Sequence, residues 1–310
     1  MEQFQAEDGH RFGQQAGHQI GLYWPILIFN PMSRINEYLD EDVGFGDITS
    51  DTLIGEELGS ARIKSNEDCM LAGLEEAIEV FKEVGVNVFP MARDGERVAK
   101  GEDVLVIEGP LKKILLGERL ALNFLMMMSG VATATNNIVR ECRKYNPQVK
   151  IAATRKTTPG FRYYEKKAVA MGGGDPHRFR LDDAILIKDN HLRVVGSITQ
   201  AISKAKNVSF SKKVEVEVET VEQAVEAAKA GADIIMLDNM RPEQVEVAYL
   251  AVKRLNEKVL VEVSGGLTPE TATHYAKYAD VLSLGWITHS ARAMHFNLEV
   301  TSVKPPQQQG

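Results

Sequence analysis

The chain has 310 residues, of which 44% are hydrophobic and 25% charged, and a formal net charge of −7 at pH 7. This composition is typical of a folded globular protein and excludes disordered and collagen-like classes. The negative charge argues against a protein that coats nucleic acid or anionic lipid. The two cysteines, Cys69 and Cys142, are too few for a disulfide framework or a thiolate zinc site and suit a reducing cytoplasm.

The two ends of the chain are predicted to contribute no residue to the active site. Residues 1–31 are rich in Gln and Gly and are interpreted as an appended N-terminal extension. Their apolar run at residues 21–29 is shorter than the roughly 20 residues of a membrane span, and neither a basic region nor a cleavage site of a signal peptide accompanies it. Residues 304–310 predict a loose tail. We therefore expect no membrane partner and a cytoplasmic location.

Residues 32–130 predict a smaller N-terminal α/β domain that serves as a cap and in dimerisation. Residues 61–64 and 104–107 have strand character, while residues 74–84 and 116–128 repeat apolar side chains at helical spacing. The C-terminal segment 288–303 is a candidate to join this domain.

Residues 131–287 predict an α/β barrel, because short β-branched runs alternate with helical stretches. The six runs are residues 151–154, 184–187, 214–218, 234–237, 259–263 and 281–284, and helices are predicted at 221–230, 242–255 and 269–278. This alternation indicates a parallel sheet, and the number of units favours an open barrel of the triosephosphate-isomerase type. A doubly wound sheet is the alternative.

Polar or glycine residues follow each of the six predicted strands. They are Arg155 and Lys156, residues 188–191, Glu217 with Glu219, Asp238 and Asn239, residues 264–266, and Ser283 with Gly285. The strand ends of a parallel barrel open on the face where barrel active sites are built. Simple capping of the following helices is the structural alternative, but six successive occurrences favour a site.

Basic residues are concentrated between Arg155 and Lys188, where eight lysines and arginines accompany four acids. In a chain of net negative charge, this local excess predicts an anionic ligand. Guanidinium groups match planar carboxylates, whereas lysines suit phosphate. Arg155 and Arg178 together with Lys156 and Lys188 therefore predict a ligand that carries both kinds of anion.

Glu217 and Asp238 follow neighbouring predicted strands and would bring two carboxylates into the same cavity. Such oxygen ligands suit Mg²⁺, which typically bridges one or two carboxylates to substrate phosphates. Salt bridges to nearby bases are the alternative. Residues 264–266 and Gly285 form loops with little side chain, whose backbone N–H groups suit a phosphate.

These motifs resemble the quinolinate phosphoribosyltransferases. The most specific are TRKTTPG at residues 154–160 and LIKDNH at residues 186–191. The others are EDVGFGDIT at 41–49, ERLALN at 118–123, EKKAVAMGGG at 165–174 leading to His177 and Arg178, EVEVE at 215–219, DNM at 238–240, VSGG at 263–266 and SLG at 283–285. The resemblance covers residues 35–290 and leaves out only the two ends.

The resemblance implies an open TIM-like α/β barrel with a smaller N-terminal α/β domain, assembled as a homodimer or larger homo-oligomer with a shared active site. The side chains expected around quinolinate are Arg155, His177, Arg178 and Lys188, with Arg119 of the partner subunit. Those expected to hold phosphoribosyl pyrophosphate are Thr154, Lys156, Glu217, Asp238, Ser264, Gly265, Gly266, Gly285, Trp286 and Ile287. Lys156, Lys188, Glu217 and Asp238 are the expected catalytic residues, and the two acids are expected to hold Mg²⁺ directly or through water.

Two of these side chains have a structural alternative. His177 could be an N-terminal helix residue, and Arg119 could be an ion-pair partner within its own helix.

The implied reaction converts quinolinate and 5-phosphoribosyl 1-pyrophosphate to nicotinate mononucleotide, pyrophosphate and CO₂, a pentosyl transfer in de novo NAD biosynthesis. The alternatives are a related pyridine phosphoribosyltransferase without decarboxylation, a molybdenum-associated paralogue, and, more remotely, a non-catalytic phosphate-sugar binding protein. Two arginines suit a dicarboxylate, and the two acids favour an enzyme over a binding protein.

Overall fold

The computed structural model describes residues 34–304. The predicted extension 1–31 and residues 305–310 of the predicted tail lie outside these residues, whereas Lys304, the first residue of that tail, ends a strand. In chain order, the first elements are α1 (Ile35–Val43), α2 (Ile48–Leu53), β1 (Leu58–Ser65), β2 (Cys69–Met70), α3 (Leu74–Glu83), β3 (Asn87–Pro90), β4 (Arg97–Val98), β5 (Asp103–Pro110) and α4 (Leu111–Arg143).

An antiparallel sheet forms the centre of this N-terminal part, with β5 paired to both β1 and β3. Burial alternates along β1, so that Ala61 and Ile63 point into the core. Helix α3 covers the sheet with a face that includes Ala77, Val80 and Phe81, all fully buried. The strands predicted at 61–64 and 104–107 lie within β1 and β5.

Helix α4 is longer than the helix predicted at residues 116–128, because apolar residues continue to face the core through Ile138, Val139 and Cys142. Within residues 34–304, α4 is the one helix long and apolar enough by composition to cross a membrane, and 56% of its most apolar stretch is buried. It packs against α3 and α5 (Arg162–Met171), as a core helix does. A methyl group at Gly130 would lie 2.3 Å from the Arg292 carbonyl oxygen, so this helix approaches neighbouring backbone closely.

The second part alternates strands and helices. Its elements are β6 (Lys150–Ala153), α5, β7 (Ile185–Ile187), α6 (Asp189–Val195), α7 (Ile198–Lys206), β8 (Val214–Val218), α8 (Val221–Ala230), β9 (Ile234–Asp238), α9 (Pro242–Leu255), β10 (Leu260–Ser264), α10 (Pro269–Ala272), β11 (Val281–Leu284) and α11 (Trp286–His289). The six strands form a parallel sheet in the order β6-β11-β10-β9-β8-β7. Because β6 and β7 are both edges, the barrel is open, which confirms the predicted fold class.

The helix predicted at residues 269–278 is wrong as one continuous helix. Helix α10 ends at Ala272, and a separate 3₁₀ turn covers Ala276–Tyr278. Thr268 caps α10 by accepting from the backbone N–H of Thr271. β-Branched Thr271 and Thr273 lower the helix propensity of the next turn, which explains the break.

The last element, β12 (Phe296–Lys304), returns to the first sheet. It pairs antiparallel with β1 along its whole length, from Leu58 opposite Lys304 to Ser65 opposite Phe296. The core is continuous across both parts, since α4 contributes buried side chains on either side of its middle. This arrangement leaves the carboxyl ends of the barrel strands free to form a cavity.

Candidate active site

A cavity of about 450 Å³ lies at the carboxyl ends of the barrel strands. Its walls come from all six strands or the residues that directly follow them, and from the segment between α5 and β7. The lining residues are Ala153, Thr154, Arg155, Lys156, His177, Arg178, Leu186, Lys188, Glu217, Met236, Asp238, Asn239, Glu262, Ser264, Gly265, Gly266 and Ser283. The fold therefore brings together the polar groups that follow the predicted strands, as parallel strands require.

Cationic side chains occupy one part of this wall. Arg155 has a buried Nε atom with no hydrogen-bond partner among the described residues, and Arg178 donates to the Ala184 carbonyl at 3.2 Å. Burial and the nearby charge of Arg155 lower the pKa of Arg178. Two guanidinium groups held close together in a cavity favour an anionic ligand that can balance both charges.

Glu217 and Asp238 line the same cavity from the neighbouring strands β8 and β9. The Lys188 Nζ atom lies 2.5 Å from Glu217 Oε2, so the ion pair considered as an alternative for the acids is present at Glu217. Asp238 instead accepts from the Asn239 amide at 2.6 Å. Burial and then the charge of Glu217 raise the pKa of Asp238, which shows that the two acids repel each other. Their oxygen donors fit a Mg²⁺ ion, which would remove this repulsion.

A second cavity of about 210 Å³ adjoins the first and shares six of its residues. Its lining consists of Thr154, Lys156, Ser264, Gly265, Gly266, Leu267, Thr268, Ser283, Gly285, Trp286 and His289. Ile287, predicted to lie here, is fully buried and lines neither cavity. Small residues and backbone dominate this wall, which suits a phosphate group.

Gly265 is required by the backbone of this second cavity. Its φ of +97° is rare for other residues, and a Cβ atom would lie 2.4 Å from Asn239 Oδ1. The turn after β11 is tied to the turn after β6, because Thr288 Oγ1 donates to the Lys156 carbonyl at 2.7 Å. The two loops are therefore held together at the cavity mouth.

His177 follows α5 in an irregular segment and lies outside any helix, so its alternative interpretation as a helical residue is wrong. Its Nε2 atom is 3.4 Å from Oε2 of Glu215, an ion-pair distance longer than a well-formed hydrogen bond. Burial lowers the pKa of His177, but the contact with Glu215 and the charge of Glu262 outweigh it and raise the pKa overall. Within the cavity, His177 is therefore biased towards the protonated form.

Two buried charged residues of α5 fix the loops around this histidine. Lys166 Nζ donates to the Ala153 carbonyl at 3.2 Å and also to the His177 carbonyl. Burial and then the charge of Arg162 lower the pKa of Lys166 to about 7. Glu165 accepts from the Thr158 N–H with both oxygens, at 3.2 and 3.1 Å. These contacts position the segments that carry Arg155 and His177.

Besides Ile287, Arg119 is the predicted site residue that lies away from the cavities. It is exposed on α4 and lines neither of them in this chain.

Several lining residues had no role in the sequence-based prediction, namely Ala153, Leu186, Met236, Glu262, Leu267, Thr268 and His289. The strand period could have found some of them. Side chains two residues apart face the same side of a strand, so Met236 precedes Asp238 and Glu262 precedes Ser264 on the inner face.

An open parallel barrel with a cationic cavity, paired acids and a glycine-rich loop defines an enzyme that binds anionic, phosphorylated substrates. Comparison with known proteins then gives the family. Residues 47–129 match the quinolinate phosphoribosyl transferase N-terminal domain, and residues 131–299 match its C-terminal domain. The chain belongs to the quinolinate phosphoribosyl transferase family.

The chain is similar to curated relatives over most of its length. It is 45% identical over 280 residues to a probable carboxylating nicotinate-nucleotide pyrophosphorylase of Methanothermobacter thermautotrophicus, covering 88% of this chain and 100% of that protein. Identity to the corresponding Archaeoglobus fulgidus protein is 48% over 259 residues, covering 83% and 98%. The solved nicotinate-nucleotide pyrophosphorylase of Francisella tularensis superposes with a TM-score of 0.82 at 37% identity, covering 87% of this chain and 95% of that one.

Proposed function

We propose that this chain is a decarboxylating quinolinate phosphoribosyltransferase, a pentosyltransferase that forms nicotinate mononucleotide, pyrophosphate and CO₂ from quinolinate and 5-phosphoribosyl 1-pyrophosphate. The observation that carries the proposal is one cavity whose wall contains two arginines and a histidine and which opens into a glycine-rich phosphate pocket. Family membership and the names of the curated relatives support the same reaction. It is a step of de novo NAD biosynthesis.

The cationic part of the cavity suits the pyridine dicarboxylate. Arg155 and Arg178 each present a planar fork that matches a carboxylate, and His177 adds a third donor. Lys188 lies between this part and the acids, since its ammonium group contacts Glu217. Two carboxylates on one ring balance the cationic charge better than the single carboxylate of nicotinate, which favours the dicarboxylate as substrate.

The other end of the cavity suits phosphoribosyl pyrophosphate. Residues 264–266 and Gly285 would surround the 5-phosphate, with Thr154 and Trp286 beside them. Glu217 and Asp238 would hold Mg²⁺, which neutralises pyrophosphate charge when bound. Lys156 lines both cavities and is placed to contact the leaving pyrophosphate. Charge on that group rises as the ribose–oxygen bond breaks, so a fixed ammonium lowers the barrier.

The chemistry of the pyridine ring explains why the proposed reaction needs no covalent nucleophile. The pyridine nitrogen attacks the anomeric carbon as pyrophosphate leaves, and it becomes cationic. That positive nitrogen stabilises the electron pair left on the ring when the adjacent carboxylate departs as CO₂. The ring itself therefore serves as the electron sink, and the protein supplies orientation and charge.

A homodimer with a shared site and a cytoplasmic location complete the proposal. Arg119 is exposed on α4, and Phe45, Ile48 and Leu53 are large apolar side chains left exposed near the start of the described chain. Exposed apolar patches of this kind suit an interface between subunits. Arg119 of the partner subunit would then complete the quinolinate site.

The test is a side-by-side assay of quinolinate, nicotinate and nicotinamide with phosphoribosyl pyrophosphate and Mg²⁺. Of the three pyridines, we expect only quinolinate to react, and we expect it to yield mononucleotide, pyrophosphate and CO₂ in equal amounts. Turnover of nicotinate without CO₂ release would replace this proposal with a non-decarboxylating transferase, and binding without turnover would replace it with a binding protein.

A further inference from the structure

A buried carboxyl group in the cavity has no part in the substrate contacts described above. Glu262 is only 2% exposed, yet it lines the cavity beside the cationic side chains. One oxygen or nitrogen atom from each of Glu262, Glu215 and His177 lies within 4.8 Å of the others. Glu262 Oε1 and both oxygens of Glu215 have no hydrogen-bond partner among residues 34–304.

Two buried carboxylates this close together cannot both remain charged at low cost, because neither has a full set of hydrogen-bond donors among residues 34–304. His177 Nε2 lies 3.4 Å from Glu215 Oε2, whereas Glu262 forms no ion pair among residues 34–304, which makes Glu262 the group that carries a proton. Burial and then the charge of Glu215 raise the pKa of Glu262 to about 7, although His177 acts in the opposite direction.

The surroundings of Glu262 include charges of both signs. The groups that face it or share its cavity are Glu215 and Glu217 on β8, Asp238 on β9, Ser283 on β11, Asp175, His177 and Arg178 on the segment after α5, and Arg155, Lys156 and Lys188 at the strand ends. An ionised Glu262 would repel a dicarboxylate ligand, whereas the neutral acid would not. A site built for a dianion therefore favours the acid form.

The proposed reaction needs one proton at the position where CO₂ leaves. The bond between ring carbon C2 and its carboxylate breaks, and its electron pair stays on C2. Nicotinate mononucleotide carries hydrogen at C2, so that pair must take up a proton before the product is released. Arg155 and Arg178 hold their protons too tightly to give one up, and the ammonium group of Lys188 is paired with Glu217.

We propose that Glu262 is the proton donor of this reaction. This inference rests on the proposed function. After CO₂ departs, the carboxylic acid of Glu262 transfers its proton to C2, the electron pair on C2 forms the C–H bond, and Glu262 is left as a carboxylate. It regains a proton from water once the product has left. Glu215 is a positioning residue, since its charge keeps the proton on Glu262.

The test compares wild-type protein with Glu262→Gln, which keeps the shape of the neutral acid and removes the proton. We expect the dissociation constants of quinolinate and phosphoribosyl pyrophosphate to change by less than about threefold, and kcat for nicotinate mononucleotide to fall by about 10²- to 10⁴-fold. A single turnover should still release pyrophosphate, because glycosidic bond formation precedes the proton transfer. Glu257→Gln, an exposed acid remote from the cavities, is the matched control.

Each outcome of this experiment supports or overturns the assignment of Glu262 as proton donor. A variant that keeps kcat within about threefold, or that loses quinolinate binding as strongly as turnover, overturns the assignment. If wild-type protein forms no nicotinate mononucleotide, the proposed function fails first and the inference fails with it. If Glu262→Gln does not fold, the wild-type pH profile decides. Since the acid form is active, kcat should decline as pH rises through about 7, and a flat profile to about pH 9 overturns the proposal.

Discussion

At the scale of single residues, Arg178 and the lysines of the cavity differ in how they meet a ligand. The guanidinium fork of Arg178 faces the cavity while one of its nitrogen atoms is fixed by the Ala184 carbonyl. Because one side of the fork is anchored, the remaining donors have a defined direction. A directed fork serves a planar carboxylate, whereas a lysine at the same position would supply charge without direction.

Arg178→Ala should therefore weaken quinolinate binding far more than binding of phosphoribosyl pyrophosphate. Loss of a buried, charged hydrogen-bonding partner costs about 2–5 kcal/mol, so we expect the dissociation constant of quinolinate to rise by at least about 30-fold. Calorimetric titration of each ligand measures this. Arg180→Ala is the control, since Arg180 is exposed two residues away and lines neither cavity. Equal losses for both ligands would contradict the carboxylate role.

Glu217→Gln and Asp238→Asn address the proposed metal site. An amide keeps the shape of each side chain but removes the charge that balances Mg²⁺. Each variant should lower kcat and raise the Mg²⁺ concentration needed for half-maximal turnover by about tenfold or more. Titrating activity against Mg²⁺ gives the answer, with exposed Glu222→Gln as control. An unchanged metal requirement in both variants would remove these acids from the metal site.

At the scale of elements, the loop after β10 shows how backbone conformation affects ligand binding. Gly265 has positive φ and faces Asn239, which itself has a φ of 53°. Gly231, at the end of α8, has a similar φ of +88° with nothing within 4 Å of an added Cβ. Alanine substitutions at these two glycines separate two effects of a methyl group. Both positions have the conformational cost of a positive φ, but only at Gly265 would the added Cβ atom collide with Asn239.

Gly265→Ala should weaken phosphoribosyl pyrophosphate binding by at least about tenfold, because the loop must move away from Asn239 to relieve the collision. Gly231→Ala should lower the free energy of unfolding by about 1–2 kcal/mol and leave binding unchanged. Titration of phosphoribosyl pyrophosphate together with thermal unfolding checks both. Similar affinity in the two variants would show that the loop adapts without loss.

The elements also show how far the sequence predicts this fold. The predicted runs at 214–218 and 281–284 coincide with β8 and β11. Buried parallel strands are short apolar runs, and their alternation with helices makes them recognisable in the sequence. The sequence pattern underestimates the length of α4, since the buried face of its second half includes Ser129, Gly130 and Thr135, which are not large apolar residues. At the site, residues after the strands were predictable from position. Glu262 lies inside a strand and was missed, because only residues after the strands were considered, although a period of two relates it to Ser264 on the inner face.

At the scale of the whole molecule, the location of Arg119 predicts that two subunits contribute to one active site. It is exposed on α4 and absent from both cavities of its own chain. If Arg119 of the partner subunit completes the site, inactive Arg119→Ala chains mixed with inactive Lys188→Ala chains should regain activity. Random pairing gives hybrids in half of the dimers with one intact site each, or about a quarter of wild-type turnover. Mass spectrometry verifies subunit exchange, and exchange without recovery would place the whole site in one chain.

The pairing of β12 with β1 has a consequence for synthesis on the ribosome. Ser60 and Ser302 face each other across these strands although they are 242 positions apart in the chain. The first sheet therefore emerges early with one edge unpaired, and it stays so until the entire barrel has been translated. An open strand edge is a site for association with other chains. Until β12 has been made, the β1 edge is therefore open to mispairing with other chains.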